Sequence, residues 1–272
     1  MNRVLGERGQ RPLERITQVY SQVDETLLLT YRELDHYPNR EGQAGQVRNA
    51  ENGPVPVAYR GAWTRSEGKA PRWPGGRGPK IYAYLKDFPA LAELLGAVKE
   101  LGCPAIVVVD GISREVVEKF RCGHIAFARE ALDMQGVANE CDLAILNAGH
   151  GTTAALLLAG KPVLLLPLYL EQIMLASAVR RMGAGLWASN RNGAQIVGRL
   201  RNMLEEAGRT QGSPLQGAAA AFARRYAGVD PLKENEAIVA GLESLMEREV
   251  EGARDESGRT SSAMFAPRGV LV

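Results

Sequence analysis

The chain has 272 residues, 45% apolar and 24% charged, with 33 basic against 31 acidic side chains and a net charge of +2. This composition excludes a collagen-like or generically disordered chain, and so balanced a charge leaves no electrostatic footprint for nucleic acid or an anionic membrane. Three cysteines, Cys103, Cys122 and Cys141, lack CxxC spacing and cannot pair off completely. They read as reduced, buried small hydrophobes of a cytoplasmic protein. Residues 1–11 contain no apolar run, so no secretory signal is expected there. The most hydrophobic stretch, 154–170, is interrupted by Lys161, Pro162 and Pro167, whereas a membrane span needs about 20 apolar residues.

Residues 1–79 read as irregular, with a short helical pattern at 13–23 and a buried strand at 25–31. Residues 39–80 are rich in Gly, Pro, Asn and Arg, the composition of a linker or of a segment that packs on something else. From 80 onward, short apolar runs alternate with helical patterns. Strands are expected at 80–85, 105–110, 124–128, 143–147, 162–166 and 185–188, and helices at 89–101, 113–120, 134–140, 152–159 and 169–182. The runs are continuously apolar rather than alternating, which marks strands covered on both faces. Gly102, Gly160 and Gly183 stand where left-handed helix ends are expected. The pattern predicts an α/β fold with a doubly wound, parallel, Rossmann-like sheet. Three more helical patterns follow at 193–207, 214–226 and 232–246, and the polar tail 247–272 reads as frayed and disordered.

In such a sheet, ligands bind at the carboxyl ends of the strands. The fourth strand runs into Asn147-Ala148-Gly149-His150-Gly151-Thr152-Thr153. Two glycines let backbone amides approach a ligand closely, and two threonines add hydroxyls at a helix start, which together suit a phosphate. A tight turn with a Thr cap is the plainer alternative. One strand later, Glu171 and Gln172 open a helix and could bond sugar hydroxyls, or Glu171 could simply complement the helix dipole. Lys86 follows the first strand at the same sheet edge, placed to neutralise a diphosphate or to be an ordinary surface lysine. Gly149-x-Gly151-x-x-Ala154 also fits a dinucleotide fingerprint, but several strands precede it and Glu171 starts a helix instead of ending a strand.

The stretch 141–185 as a whole resembles the donor-binding, C-terminal half of the GT-B glycosyltransferases. It looks like the UDP-glycosyltransferase family that includes bacterial macrolide and glycolipid glycosyltransferases. The family pattern is a strand, His-Gly-Gly-x-Gly-Thr/Ser, a helix, Gly-x-Pro, a strand ending in Pro, and Asp/Glu-Gln. The resemblance covers about residues 80–246. A weaker echo at 25–63 includes Leu34-Asp35-His36-Tyr37 and Tyr59-Arg60-Gly61, which look like the interdomain segment. It implies that Gly149, Gly151, Thr152 and Thr153 hold the diphosphate, that His150 is the variable loop residue, and that Glu171 and Gln172 hold the donor hexose. Asn147 stands where the family has His and keeps a side-chain donor for the nucleotide sugar, Ala148 stands where the family has its first Gly, and Ala155 where a ribose-binding Glu often lies. No Trp occupies 129–133 to stack on uracil, which points to the bacterial branch.

The resemblance therefore implies a hexosyltransferase using a UDP-sugar or dTDP-sugar, with no metal and no further cofactor; nothing in the sequence has metal-ligand spacing. Its expected organisation is an interdomain or linker remnant of the acceptor domain at 1–79, a donor domain at 80–246 and a tail at 247–272. Too little chain precedes residue 80 for an acceptor domain of typically 100–150 residues. A truncated gene product, or a separate acceptor-domain polypeptide as in the split GlcNAc transferase of N-glycan assembly, is the corresponding expectation. His36 reads as a solvent-facing loop residue, His124 as structural, and Arg180 and Arg181 as helix-end charges. The rivals are a non-catalytic nucleotide-sugar-binding remnant and a dinucleotide-dependent oxidoreductase.

Overall fold

The computed structural model describes residues 2–7, 9, 11–18, 23, 26–37, 48–49, 53–54, 57–63, 67–208 and 213–257. The chain divides into two compact units. The first comprises Met1–Arg32, Tyr37–Gly61 and Val229–Val272. Its elements are helix α1 (Asn2–Glu7), strands β1 (Thr26–Leu28), β2 (Arg48–Asn49), β3 (Gly53–Pro54) and β4 (Val57–Tyr59), and the long C-terminal helix described below. β1 and β4 pair in parallel, Leu27 opposite Ala58, and β2 and β3 pair antiparallel. β1 falls within the strand expected at 25–31, and the reading of the rest of 1–79 as irregular is corrected at β2, β3 and β4. Residues 14–17 are bend and turn, and most of the remaining helical pattern at 13–23 lies outside the described residues.

The second unit comprises Glu33–His36 and Ala62–Gly228. Its sheet contains β5 (Ile81–Lys86), β6 (Ala105–Asp110), β7 (Ile125–Phe127), β8 (Leu143–Leu146), β9 (Val163–Leu165) and β10 (Gly185–Trp187). All six are parallel, in the order β10-β9-β8-β5-β6-β7. Sequence numbering runs outward in both directions from the β8/β5 pair, so the direction of winding reverses there. That reversal is the topological switch point of a doubly wound sheet.

The helices are α2 (Leu91–Leu101), α3 (Arg114–Phe120), α4 (Met134–Glu140), α5 (His150–Leu158), α6 (Leu170–Met182), α7 (Gly193–Ala207), α8 (Pro214–Arg225) and α9 (Pro231–Ser257). α2 packs with α3 and α7, and α5 packs with α4 and α8. Right-handed crossovers on opposite sides of the switch point place these two groups on opposite faces of the sheet. The sheet is therefore buried on both sides. The consecutive β8 residues Leu143, Ala144, Ile145 and Leu146, which face alternate sides, are each at most 1% exposed, as continuously apolar strands require. Gly102 and Gly183 end α2 and α6 in the left-handed region, at φ 69° and 77°.

The C-terminal expectation needs correction. α9 continues to Ser257, and it belongs to the first unit rather than to the domain expected at 80–246. Residues 258–272 lie outside the described residues. Among the described residues, no helix is long and apolar enough to cross a membrane.

Candidate functional site

Three adjacent strands, β9, β8 and β5, end together at the switch point. The helices that follow them, α6, α5 and α2, all begin without a side-chain cap. The helices after the flanking strands β6 and β7 differ. Ser113 caps α3 by accepting from Val116 N–H, and Asp133 caps α4 by accepting from Gln135 and Gly136. A helix start leaves its first backbone donors without intrahelical partners, and the dipole makes that end favour anions. Among the helices that follow strands of the sheet, the uncapped starts are thus gathered on the carboxyl edge at the switch point, α7 after β10 being capped by Asn192.

Asn147 sets the geometry of the central loop. It is 7% exposed, its Oδ1 accepts the Lys86 backbone N–H at 2.5 Å, and its Nδ2 donates to the Leu166 carbonyl at 2.8 Å. The amide ties β5, β8 and β9 at their ends. The side-chain donor expected to face a ligand is occupied by backbone. Ala148 follows at φ 59° and 2% exposure, a left-handed conformation that costs an L-residue about 1–2 kcal/mol. This is where the family pattern has its first glycine, and the conformation that favours glycine is kept although alanine fills the position.

Gly149 is the N-cap of α5, exposed, at φ −68° and ψ 130°. A Cβ added there would meet nothing within 4 Å, whereas one on Gly151 would lie 3.2 Å from the Trp63 carbonyl oxygen. The segment around Trp63 therefore passes over Gly151. Thr152 is half-buried. Thr153 is turned inward: it is fully buried, its N–H donates to the Gly149 carbonyl, and its hydroxyl has no partner. Neither donor of Thr153 reaches the solvent side of the loop, which corrects its expected place on a diphosphate.

Glu171 is exposed in the first turn of α6. Gln172 is 8% exposed, and its Oε1 accepts from Leu168 N–H at 2.7 Å, so its carbonyl end braces the loop. Lys86 ends β5 with its side chain exposed, on the same edge as the central loop. Next to this edge Tyr169, Leu170 and Ile173 are 49%, 71% and 38% exposed, an apolar rim at the start of α6.

Sequence reasoning missed other residues. Asn190 Nδ2 donates to the Pro167 carbonyl at 2.8 Å, and its own carbonyl accepts from Ala90 N–H at 3.2 Å, tying the start of α2 to the end of β9. His36 is half-buried, and its ring lies edge-to-face on His150 with centroids 6.5 Å apart. The reading of His36 as solvent-facing is corrected. Glu33, three residues earlier, accepts from the Tyr226 hydroxyl at 2.6 Å and from the Arg225 guanidinium. Burial would raise the Glu33 carboxyl, but the hydrogen bonds and charge of these partners outweigh it and hold the group below its ordinary value. An asparagine closing a strand run was the only sequence signal for Asn190, and nothing local signalled the contacts of His36 and Glu33.

Elsewhere, His124 Nε2 donates to the Lys99 carbonyl at 2.9 Å, a structural tie. Cys103 and Cys141 are buried, and burial pushes the Cys141 thiol up to about 12. Cys122 is only partly buried, which corrects the expectation of three buried thiols. Among the described residues, no group of three or more His, Cys, Asp or Glu side chains is gathered as a metal site would require.

No protein-family model matches the chain. A TDP-daunosamine transferase, DnrS of Streptomyces peucetius, is 27% identical over 156 residues, 57% of this chain and 36% of that protein. Among solved structures, the glycotransferase of kitacinnamycin superposes with a TM-score of 0.64 at 14% identity, over 88% of this chain and 60% of that one. The spinosyn rhamnosyltransferase SpnG, solved with thymidine diphosphate, gives 0.55 at 20% identity, over 71% and 53%. The chain shares its fold with part of these glycosyltransferases. The sequence resemblance to them is borne out, and the six-stranded Rossmann-like sheet with its flanking helices matches them. The chain spans about a third of its curated relative and some three-fifths or less of these solved structures.

Proposed function

We propose that this chain carries the donor-binding half of a hexosyltransferase that uses a nucleoside diphosphate sugar. The observation that carries the reading is the uncapped start of α5 behind Gly149, at the switch point of the sheet. The amides of His150, Gly151 and Thr152 and the Thr152 hydroxyl hold the diphosphate, with Lys86 at its edge. Glu171 and the free amide end of Gln172 hold the hexose. Asn147 shapes the loop rather than touching the donor, and Thr153 anchors it from beneath.

In the reaction, an acceptor hydroxyl attacks the anomeric carbon and the nucleoside diphosphate leaves with the bonding electrons. Oriented amides and a lysine at that leaving group stabilise charge as it develops, so the reading invokes neither a metal nor another cofactor. A dTDP-sugar is placed ahead of a UDP-sugar because the curated relative is named for a TDP-sugar and SpnG is solved with thymidine diphosphate. Three unpaired thiols fit a reducing, cytoplasmic setting.

The described residues hold one doubly wound sheet, so the general base and acceptor pocket are assigned to an acceptor-domain polypeptide or to a further part of the same protein. The dinucleotide reading fares worse. Its glycine turn should follow the first strand of the sheet, and that turn is Lys86-Asp87-Phe88-Pro89, with no glycine.

Thermal shift with TDP, UDP, a TDP-hexose and NAD tests the reading, because a ligand that binds the native state raises its melting temperature. Stabilisation by TDP and the TDP-hexose is expected. Stabilisation by NAD alone would select the oxidoreductase.

A further inference from the structure

The four residues Glu33–His36 belong to the second unit although the chain before and after them belongs to the first. They are seated firmly. Leu34 is fully buried and Asp35 is 4% exposed. Glu33, its side chain 18% exposed, is bonded to Arg225 and Tyr226 at the end of α8. α8 in turn packs along α5, the helix that starts with the candidate phosphate loop. Three residues span at most about 10 Å, so the anchor on α8 fixes where His36 arrives. It arrives at His150, the first residue of α5, with the two rings nearly perpendicular at 88°.

We propose that His36 is a positioning residue for the phosphate loop, held there by the Glu33 clamp and acting through the His150 ring. The proposal rests on the donor-site reading above. Edge-to-face ring packing favours one orientation of the His150 side chain, and a loop ordered before binding loses less freedom when the ligand arrives. His36 thereby links the donor loop to a segment far away in sequence. Because the loop meets the diphosphate and not the base, the effect should fall on the diphosphate alone.

Calorimetric titration of the 272-residue protein with TDP, and NMR titration with thymidine, test this. His36→Ala should weaken TDP binding about five- to tenfold, leave thymidine binding unchanged, and shift the NMR signals of the His150 ring. His36→Phe, which keeps a ring, should return TDP affinity to within about twofold of wild type, whereas His36→Gln should not. Glu33→Ala, remote from the loop, should reproduce the loss. A folded His36→Ala protein with wild-type TDP affinity, or rescue by Gln as full as by Phe, overturns the proposal while leaving the donor site standing. A folded Glu33→Ala protein with wild-type affinity removes the clamp. Should His36→Ala fail to fold, the Phe and Gln variants decide. A wild-type protein that binds no TDP overturns both the donor-site reading and this inference.

Discussion

Asn147 and Lys86 are joined side chain to backbone: the Asn147 Oδ1 accepts the Lys86 N–H at 2.5 Å across the switch point of the sheet. The same amide donates to the Leu166 carbonyl, so one side chain fastens three strand ends. Asn147→Ala leaves a donor and an acceptor unsatisfied in a nearly buried place, each costing about 1–3 kcal/mol. A loss of about 2–4 kcal/mol is expected in urea denaturation. Asn147→Asp should also destabilise, because the carboxylate has no donor for Leu166.

Ala148 holds φ 59° with its methyl buried. Ala148→Gly removes the strain of about 1–2 kcal/mol, but it also removes a buried methyl and loosens the unfolded chain by about 0.5–1 kcal/mol. Stability within about 1 kcal/mol of wild type is expected. Ala148→Val places a β-branched residue in the left-handed region and overfills a buried site, so a loss above about 2 kcal/mol should appear in the same measurement.

Thr152 and Thr153 should separate cleanly. Replacing the buried, unpartnered Thr153 hydroxyl by the methyl of valine relieves an unsatisfied group. Thr153→Val is therefore expected to melt at or above the wild-type temperature with TDP affinity unchanged. Thr152→Val removes a hydroxyl proposed to face the diphosphate and should weaken TDP binding about three- to tenfold in a calorimetric titration.

Alkylation reports the thiols. Cys122 is partly exposed while Cys103 and Cys141 are buried, and both buried thiols are pushed up by desolvation, Cys141 to about 12. Only thiolate reacts. Iodoacetamide on the native protein at pH 8 should modify Cys122 first, with mass-spectrometric mapping finding Cys103 and Cys141 protected until unfolding.

The sheet was legible because its strands are covered on both faces, and that leaves continuous apolar runs such as Ala105–Asp110. The turn that opens α5 was legible from Gly149 and Gly151, whose spacing is local. The inward turn of Thr153 was not, since helix phase relative to the sheet decides which of two neighbouring threonines faces solvent. The extension of α9 to Ser257 escaped notice because its last turns carry charge without an apolar stripe. The ties from Glu33 to Tyr226 and from His36 to His150 join distant parts of the chain, and no periodicity or spacing carries such information.

The most direct test of the central claim is a calorimetric titration of Gly149→Val with TDP, beside wild type. Gly149 has an ordinary backbone conformation and open space where a Cβ would be, so the variant should fold, losing about 1 kcal/mol at the helix cap. Its new side chain stands over the first-turn amides of α5. The account predicts a folded variant whose TDP affinity falls at least tenfold. Wild-type affinity in that folded variant would contradict the assignment of the diphosphate to this loop.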